Sequence, residues 1–352
     1  MWRPSGAIDD TYKKDMAIVR TKTHWSWLVV GLILLYLVPF FVSAVALNTV
    51  NYIAITIIAL HGVNILTGMT GLITLGHASF IAVGAYLMTL MVVHLHINFW
   101  LAAPIAVLLT GLVGVIVGLP SLRIKGFYLA MATLAAQFII PWLIVNVRSD
   151  LTGGTDGLNV PPPSIGGFPR TSQTSLFYLC MTMAVLVTFF TANLKRSRFG
   201  RAFISIRDND LAAEIMGIAI VRYKLLSFFL CSAYAGLAGV LYAVWMRGIS
   251  PEHFDLTESV WYLGMLIVGG MGSGIGVVFG AIIIRGLNIV VLYVAPLVGG
   301  FFSAATATAI ELGFGPLVFG LVVMGFLIYE PRGLAMIWER FKAFYRLWPF
   351  SY

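Results

Sequence analysis

The chain has 352 residues, of which 60% are hydrophobic and only 10% are charged, and its mean hydropathy is +0.94. This composition excludes a soluble globular domain and predicts a polytopic membrane protein. A net charge of +8 would suit a nucleic-acid partner, but the position of the basic residues between apolar stretches explains it by topology. We therefore expect no nucleic-acid partner.

Apolar stretches long enough to cross a bilayer follow one another along the chain. A hydrocarbon core of about 30 Å needs roughly 20 apolar residues in a helix. We therefore expect an all-α polytopic membrane protein with about ten transmembrane helices, surrounded by membrane lipid. Their approximate cores are residues 27–46, 50–66, 78–95, 99–119, 127–147, 176–193, 225–245, 259–272, 276–298 and 314–329.

Lysine and arginine residues indicate the orientation of these spans, because short cytoplasmic loops are enriched in both. With the N-terminus inside, eighteen of the 22 basic residues fall in cytoplasmic segments, and both termini are expected in the cytoplasm. The exceptions are Arg148, Arg170 and Arg247 on the outer side and Arg285 within a span. The expected division is a cytoplasmic lead at residues 1–24, a membrane domain at 25–335 and a cytoplasmic tail at 336–352.

Four glycines lie in otherwise apolar sequence at Gly68, Gly71, Gly76 and Gly84. They predict an unwound or broken helix, whose half-helix N-terminus would favour a substrate carboxylate. Glycines that let two helices pack closely explain the same pattern equally well.

Polar side chains near this segment are candidates for lining a pathway through the membrane. Ser79, Thr133 and Gln137 have this potential, although single polar residues also join helices by hydrogen bonds. His77 on its own is more typical of a hydrogen-bonded structural histidine than of a ligand.

The longest polar stretch on the outer side is residues 148–175, which is rich in proline and glycine. Turn chemistry alone explains its composition.

On the inner side, the loop at residues 195–224 carries seven basic and three acidic residues. Asp208, Asn209 or Asp210 can cap a short helix that continues through residues 211–216, and Gly217 can end it in the left-handed conformation. An ordinary basic loop with a surface helix would have the same features.

Motifs for catalysis or energy conversion are missing from the sequence. The glycine-rich run at 269–276 lacks the lysine of a phosphate-binding loop, and neither HExxH nor GxSxG occurs. The predicted spans contain almost no Asp or Glu, which cation-coupled transporters usually keep inside their bundle. Cys180 and Cys231 fall within spans and are expected to be packing residues. We expect no enzymatic activity, no cofactor and no metal site, and we expect a partner to drive any work.

Five motifs make the sequence resemble the permease subunits of bacterial ATP-binding-cassette importers for branched-chain amino acids. In the family's coupling signature, Leu211 replaces the usual first glutamate. The resemblance covers roughly residues 27–335 and is closer to the larger of the two homologous permeases. The matching motifs are AAEIMG at 212–217 with GRA at 200–202 and SIRDN at 205–209, GLITLGHASF at 71–80, YLAMATL at 128–134, LTGGTDGL at 151–158 and GGMGS at 269–273.

The resemblance implies a set of partners and a location. They are a homologous second permease in a heterodimer, two ATP-binding-cassette ATPase subunits, a periplasmic amino-acid-binding protein, and the bacterial inner membrane. The implied substrate is a leucine-like amino acid. Urea, short amides, aromatic acids or a sugar stay open as substrates, and a self-contained secondary transporter or channel stays open as a different class.

The resemblance also implies three groups of site residues. For ATPase coupling, Ala212, Ala213 and Gly217 would give close contact, and Arg201, Arg207, Asp208 and Glu214 would fix orientation. The implied translocation path contains Gly76, His77, Ser79, Phe80, Tyr128, Thr133 and Gln137. The implied docking surface or gate on the outer side contains Thr152, Gly153, Gly154 and Asp156, together with the segment at 247–258.

Overall fold

A computed structural model describes residues 22–124, 126–165, 168–169, 172–299 and 304–347 of the protein. Within these residues the fold is all-α apart from four two-residue strands. The helices are α1 (Lys22–Phe41), α2 (Ala44–Val63), α3 (His77–Val93), α4 (Phe99–Gly118), α5 (Phe127–Asn146), α6 (Ser149–Thr152), α7 (Gln173–Arg196), α8 (Arg198–Asp208), α9 (Asp210–Ile215), α10 (Ile220–Met246), α11 (Leu256–Gly269), α12 (Gly274–Gly299), α13 (Ala304–Tyr329) and α14 (Gly333–Leu347). A π-helix (Asn64–Met69) continues α2, and 3-10 helices follow α4 (Leu119–Leu122) and precede α11 (Pro251–Phe254).

Six helical segments in the described part of the chain are long and apolar enough to cross a membrane. A seventh is formed if α13 and α14, which meet at a bend of 48°, are taken as one span. Each predicted core overlaps a helix, but the first extends from α1 into α2, and α3 has only 17 residues and α11 only 14. The protein is thus a multi-pass membrane protein, and the number ten stays a prediction.

The first predicted core, residues 27–46, runs across a break between two helices. Helix α1 ends at Phe41, and Ser43 then caps α2 by accepting a hydrogen bond from the backbone N of Ala46 at 3.5 Å. Apolar composition alone did not reveal this break, because the residues on both sides of it are hydrophobic.

Helix α10 packs in the centre of the bundle, against α2, α3 and α4. Small residues let the backbones approach: a Cβ atom on Gly236 would lie 2.8 Å from the Cβ of Thr110 on α4, and Gly84 on α3 faces Gly236 directly. Gly84 therefore allows two helices to pack closely, which was the second of the two interpretations of the glycine-rich segment.

The two segments that were predicted to form the outer surface are paired with each other. Strand β1 (Leu158–Asn159) is antiparallel to β4 (Gly248–Ile249), and a further bond runs from the N of Val160 to the O of Arg247 at 3.0 Å. A second short pair joins β2 (Ser164–Ile165) to β3 (Phe168–Pro169). The predicted outer loop and the segment at 247–258 thus form one surface.

The predicted boundary at residue 336 lies inside helix α14. Arg340 on this helix donates to Glu330 at the end of α13, with an N–O distance of 2.7 Å. This ion pair spans the turn between the two helices.

Candidate functional site

The helix that begins at Ala44 is interrupted on its way through the bundle. It passes into the π-helix (Asn64–Met69), and the chain then leaves helical geometry at residues 70–76 before α3 begins at His77. Gly71 has a φ of +75°, which favours glycine. The glycine-rich segment therefore does contain the predicted break, and Gly71 takes part in it through its backbone conformation.

A buried polar network surrounds the first turn of α3. The backbone N of Ala78 donates to the hydroxyl of Ser259 at 2.9 Å, and the N of Ser79 donates to Oε1 of Gln137 at 3.0 Å. Ser259 also donates to Oε1 of Gln137 at 2.9 Å, and Nε2 of Gln137 donates to the carbonyl of Phe254 at 2.7 Å. Gln137 thus joins α3, α5 and the start of α11.

The neighbouring backbone is tied to α5 as well. The N of Leu75 donates to Oγ1 of Thr133 at 3.0 Å, and Oγ of Ser79 donates to the carbonyl of Gly76 at 2.7 Å. The amides of Ala78 and Ser79 are therefore bonded to side chains of the protein itself. Two amides of the half-helix N-terminus that was predicted to favour a substrate carboxylate therefore have partners within the protein in this conformation.

The structure brings together four of the seven predicted pathway residues: Gly76, Ser79, Thr133 and Gln137. The other three lie apart from the network. His77 is buried with Nδ1 at 3.7 Å from Sγ of Cys231, Phe80 lies in the core, and Tyr128 is 75% exposed at the start of α5. Ser259, which the sequence analysis missed, completes the network, but a single serine in an apolar span carries no distinguishing signal.

Arg285 has a well-defined set of partners. Its Nη2 donates to Oε2 of Glu258 at 3.0 Å, and its Nε donates to Oγ1 of Thr56 at 3.2 Å. The guanidinium also lies over the ring of Tyr52, 4.2 Å from the centroid. The side chain of Arg285 is 5% exposed and that of Glu258 29% exposed, so this is a largely buried ion pair between α11 and α12.

The polar loop between α7 and α10 contains α8 and α9, which have capped ends. Ser197 caps α8 by accepting from the N of Phe199 at 3.2 Å, and Asn209 caps α9 by accepting from the N of Ala212 at 3.1 Å. Gly217 has a φ of +83°, and nothing lies within 4 Å of a Cβ added at this position. Of the three cap candidates, the cap is Asn209, and the left-handed glycine lies where it was predicted.

The outward face of α9 is apolar. Leu211 is 65% exposed, Ile215 85% and Met216 82%, and Ala212 and Glu214 are exposed beside them. We call these three apolar side chains, Leu211, Ile215 and Met216, the docking face.

Two of the predicted coupling residues point toward the protein's own bundle. Ala213 is 3% exposed, so the close contact expected for it is made within the chain. Nη1 of Arg207 donates to the carbonyl of Gly68 at 3.0 Å, while its Nε and Nη2 bind Asp208. Arg201 donates to the carbonyl of Arg196 at 2.9 Å.

The four predicted residues of the outer surface form a turn. Thr152 is buried and donates to the carbonyls of Ile144 and Arg148, at 2.6 and 3.0 Å. Gly153 and Gly154 have φ values of +72° and +56°. Asp156 is exposed. Thr152 therefore holds the turn in place, and of the two side chains only that of Asp156 reaches the surface.

Comparison with known proteins gives a family and several relatives. Residues 45–329 match the family described as branched-chain amino acid transport system / permease component. The high-affinity branched-chain amino acid transport system permease protein LivM of Escherichia coli is 33% identical over 282 residues, which is 73% of this chain and 66% of that protein. LivM of Salmonella typhimurium is 32% identical over 270 residues, 70% of this chain and 63% of that protein. The matched region thus spans less than two thirds of the length of these two relatives.

A shorter relative is matched over more of its length. The probable branched-chain amino acid transport permease protein LivH of Methanocaldococcus jannaschii is 25% identical over 276 residues, 75% of this chain and 83% of that protein.

Proposed function

Because the chain belongs to the family of branched-chain amino acid transport system permease components, we propose that it is a membrane-spanning permease subunit of an ATP-binding-cassette importer. Its substrate is a leucine-like amino acid, since the named LivM and LivH relatives belong to branched-chain amino acid transport. The subunit has no ATPase site of its own, and separate ATPase subunits drive it.

The docking face on α9 is the observation that carries this proposal. Three large apolar side chains are exposed on a loop that is too polar to lie in the hydrocarbon core, and nothing in the described part of the chain covers them. A cluster of exposed apolar side chains that is surrounded by polar residues is typical of a protein-protein contact. A short capped helix that projects between two spans offers such a contact to an ATPase subunit.

The contact residues in this proposal differ from those implied by the sequence resemblance. Leu211, Ile215 and Met216 insert into the ATPase, while Ala212 and Gly217 allow close approach. The exposed polar residues Arg201, Asp208 and Glu214 form the rim and set orientation. Ala213 holds α9 against the bundle.

The remaining partners follow from the same family role. A homologous second permease completes the translocation path, and a periplasmic binding protein delivers the amino acid to the surface around β1 and β4, including Asp156. This arrangement puts both termini in the cytoplasm and the protein in the bacterial inner membrane. The polar network at Gln137 closes the path until the ATPases move the bundle.

A second candidate, a self-contained secondary transporter, has one observation in its favour. Glu258 is a carboxylate within the helical bundle and is paired with Arg285, and intramembrane ionisable residues often mark ion pathways. Such a transporter would move its solute without ATP and without partner subunits.

Copurification from the native membrane tests the importer proposal. Full-length tagged protein would be extracted in mild detergent as the wild type, as Gly217→Asp and as Gly217→Asn. Both variants put a side chain at a φ of +83°, where Asn and Asp are the best tolerated residues after Gly. They differ in charge, so the asparagine variant is the matched control for backbone strain.

The proposal predicts that P-loop ATPases and a second permease accompany the wild type. The carboxylate of Gly217→Asp, next to an apolar contact, should reduce ATPase recovery by about tenfold, which corresponds to about 1.4 kcal/mol, while Gly217→Asn stays close to the wild type. A wild-type chain that is recovered without any ATPase would contradict the importer proposal and favour the second candidate.

A further inference from the structure

The side chain of Arg207 turns away from the docking face and reaches the break in the first long span. Its Nη1 donates to the carbonyl of Gly68 at 3.0 Å. Its aliphatic stem lies against Gly71, where an added Cβ would be 2.8 Å from Cγ of Arg207. One side chain thus contacts both the π-helix and the first residues after it.

A third element meets Arg207 and Gly68 at the same place. Gly272, in the turn between α11 and α12, donates its backbone N to Oδ1 of Asn64 at 2.8 Å. Its carbonyl accepts a bond from Nζ of Lys195 at 2.6 Å. A Cβ on Gly68 would lie 2.5 Å from the N of Gly272, so these two backbones are in contact. We call Gly68, Gly71 and Gly272 the glycine joint.

On its other side, Arg207 is linked to α9. Its Nε and Nη2 bind Oδ1 of Asp208 at 3.0 and 2.9 Å, and the next residue, Asn209, is the extended residue that caps α9. The docking face is therefore connected to the glycine joint through few contacts: α9 continues from Asn209, which follows Arg207 and Asp208, and Arg207 binds Gly68.

There is room for Arg207 to move at this place. A cavity of about 530 Å³ opens beside the glycine joint and is lined by Lys195, Arg207, Arg332 and Glu339, among others. Packed interfaces shift between discrete arrangements and do not deform continuously, so a movement of Arg207 would be passed on as a discrete shift.

We propose that Arg207 is a positioning residue that transmits movement of α9 to the glycine joint, and through residues 70–76 to the closed network at Gln137, and that it is not a docking contact. This inference rests on the proposed importer function. It assigns Arg207 an inward role, whereas the sequence resemblance implied a contact with the ATPase.

The test uses the complex recovered from native membranes and the intact cells that express it. Arg207→Gln removes the charged donor. Arg207→Met also removes the donor but keeps an aliphatic stem against Gly71, and this variant replaces Arg207→Gln if the glutamine variant does not accumulate. Arg207→Lys restores one donor and one charge. Arg123→Gln, at an exposed arginine in a different loop from Arg207, is the matched control. Each variant is measured for ATPase recovery, ATP hydrolysis and uptake of radiolabelled leucine.

The inference predicts a split between these measurements. Arg207→Gln should retain ATPase recovery and hydrolysis within about twofold of the wild type, while leucine uptake per ATP hydrolysed falls by about tenfold or more, a change in the usual range for coupling between sites. Arg207→Lys should restore a large part of the uptake, which a purely structural effect on folding would not explain.

Three results would be decisive against it or against its premise. Loss of ATPase recovery in Arg207→Gln, with Arg123→Gln unaffected, would show a docking contact and overturn the inference while leaving the importer proposal intact. Unchanged leucine uptake per ATP in Arg207→Gln would overturn it as well. A wild-type chain without any ATPase would overturn both the inference and the importer proposal.

Discussion

The buried ion pair between Glu258 and Arg285 allows a quantitative prediction. Glu258→Gln removes the negative charge but keeps an oxygen that can accept the bond from Arg285. At the observed 3.0 Å, two unit charges attract by about 5 kcal/mol at an effective dielectric constant of about 20. The partial exposure of Glu258 and the retained hydrogen bond reduce the loss, and removal of one partner from a buried pair typically costs about 3 kcal/mol.

The free energy of unfolding is expected to fall by this amount because the guanidinium of Arg285 stays buried without a counter-charge. Thermal unfolding of both proteins in the same detergent would measure the loss, and about 3 kcal/mol corresponds to a decrease in melting temperature of roughly 4 °C for a chain of this length. The matched control is Glu252→Gln, because Glu252 is an exposed carboxylate six residues earlier, in the 3-10 helix that precedes α11. Exposed substitutions usually change stability by less than about 0.5 kcal/mol.

A double substitution separates the charge effect from simple loss of packing. In Glu258→Leu with Arg285→Met, no charge is left buried, and replacement of a buried ion pair by apolar residues is often neutral. The double variant should therefore melt closer to the wild type than Glu258→Gln does. If Glu258→Gln has the same melting temperature as the wild type, the ion pair does not stabilise the bundle and this reasoning is refuted.

Two further predictions concern the break in the span. Gln137→Leu should lower the free energy of unfolding by about 2–4 kcal/mol, because the amide of Ser79, the hydroxyl of Ser259 and the carbonyl of Phe254 lose a buried partner. Thermal unfolding measures this loss, and an unchanged melting temperature would contradict the stabilising role of the network. Gly68→Ala should lower the free energy of unfolding by about 1–3 kcal/mol, because the added methyl group meets the backbone of Gly272. Thermal unfolding measures this as well. Gly31→Ala is the control, since nothing lies within 4 Å of a Cβ at Gly31.

Local features of the polar loop were predictable from the sequence because local rules determine them. A capping side chain, a run of helix formers and a glycine at the end specify a short helix without help from the rest of the fold. Asn209 and Gly217 illustrate this. A break in the glycine-rich segment was one of two predictions from the sequence; Gly71 takes part in the break, whereas Gly84 serves the alternative, helix packing.

Contacts between distant segments were not predictable in this way. The partner of Arg285 is Glu258, 27 residues earlier, and nothing in a single sequence indicates that α11 and α12 place these side chains together. The inward direction of Ala213 and Arg207 also depends on how the loop folds back onto the bundle. A residue in a recognised motif can therefore serve its own chain instead of the partner.

Transport in sealed vesicles tests the central claim most directly. The complex recovered from native membranes would be reconstituted into liposomes with the periplasmic binding protein on the outer side. Uptake of radiolabelled leucine would be measured with and without ATP on the ATPase side. The importer proposal predicts uptake only when ATP is present, and none with the chain alone. Leucine uptake by the purified chain alone, without ATP, would contradict it and identify a self-contained transporter.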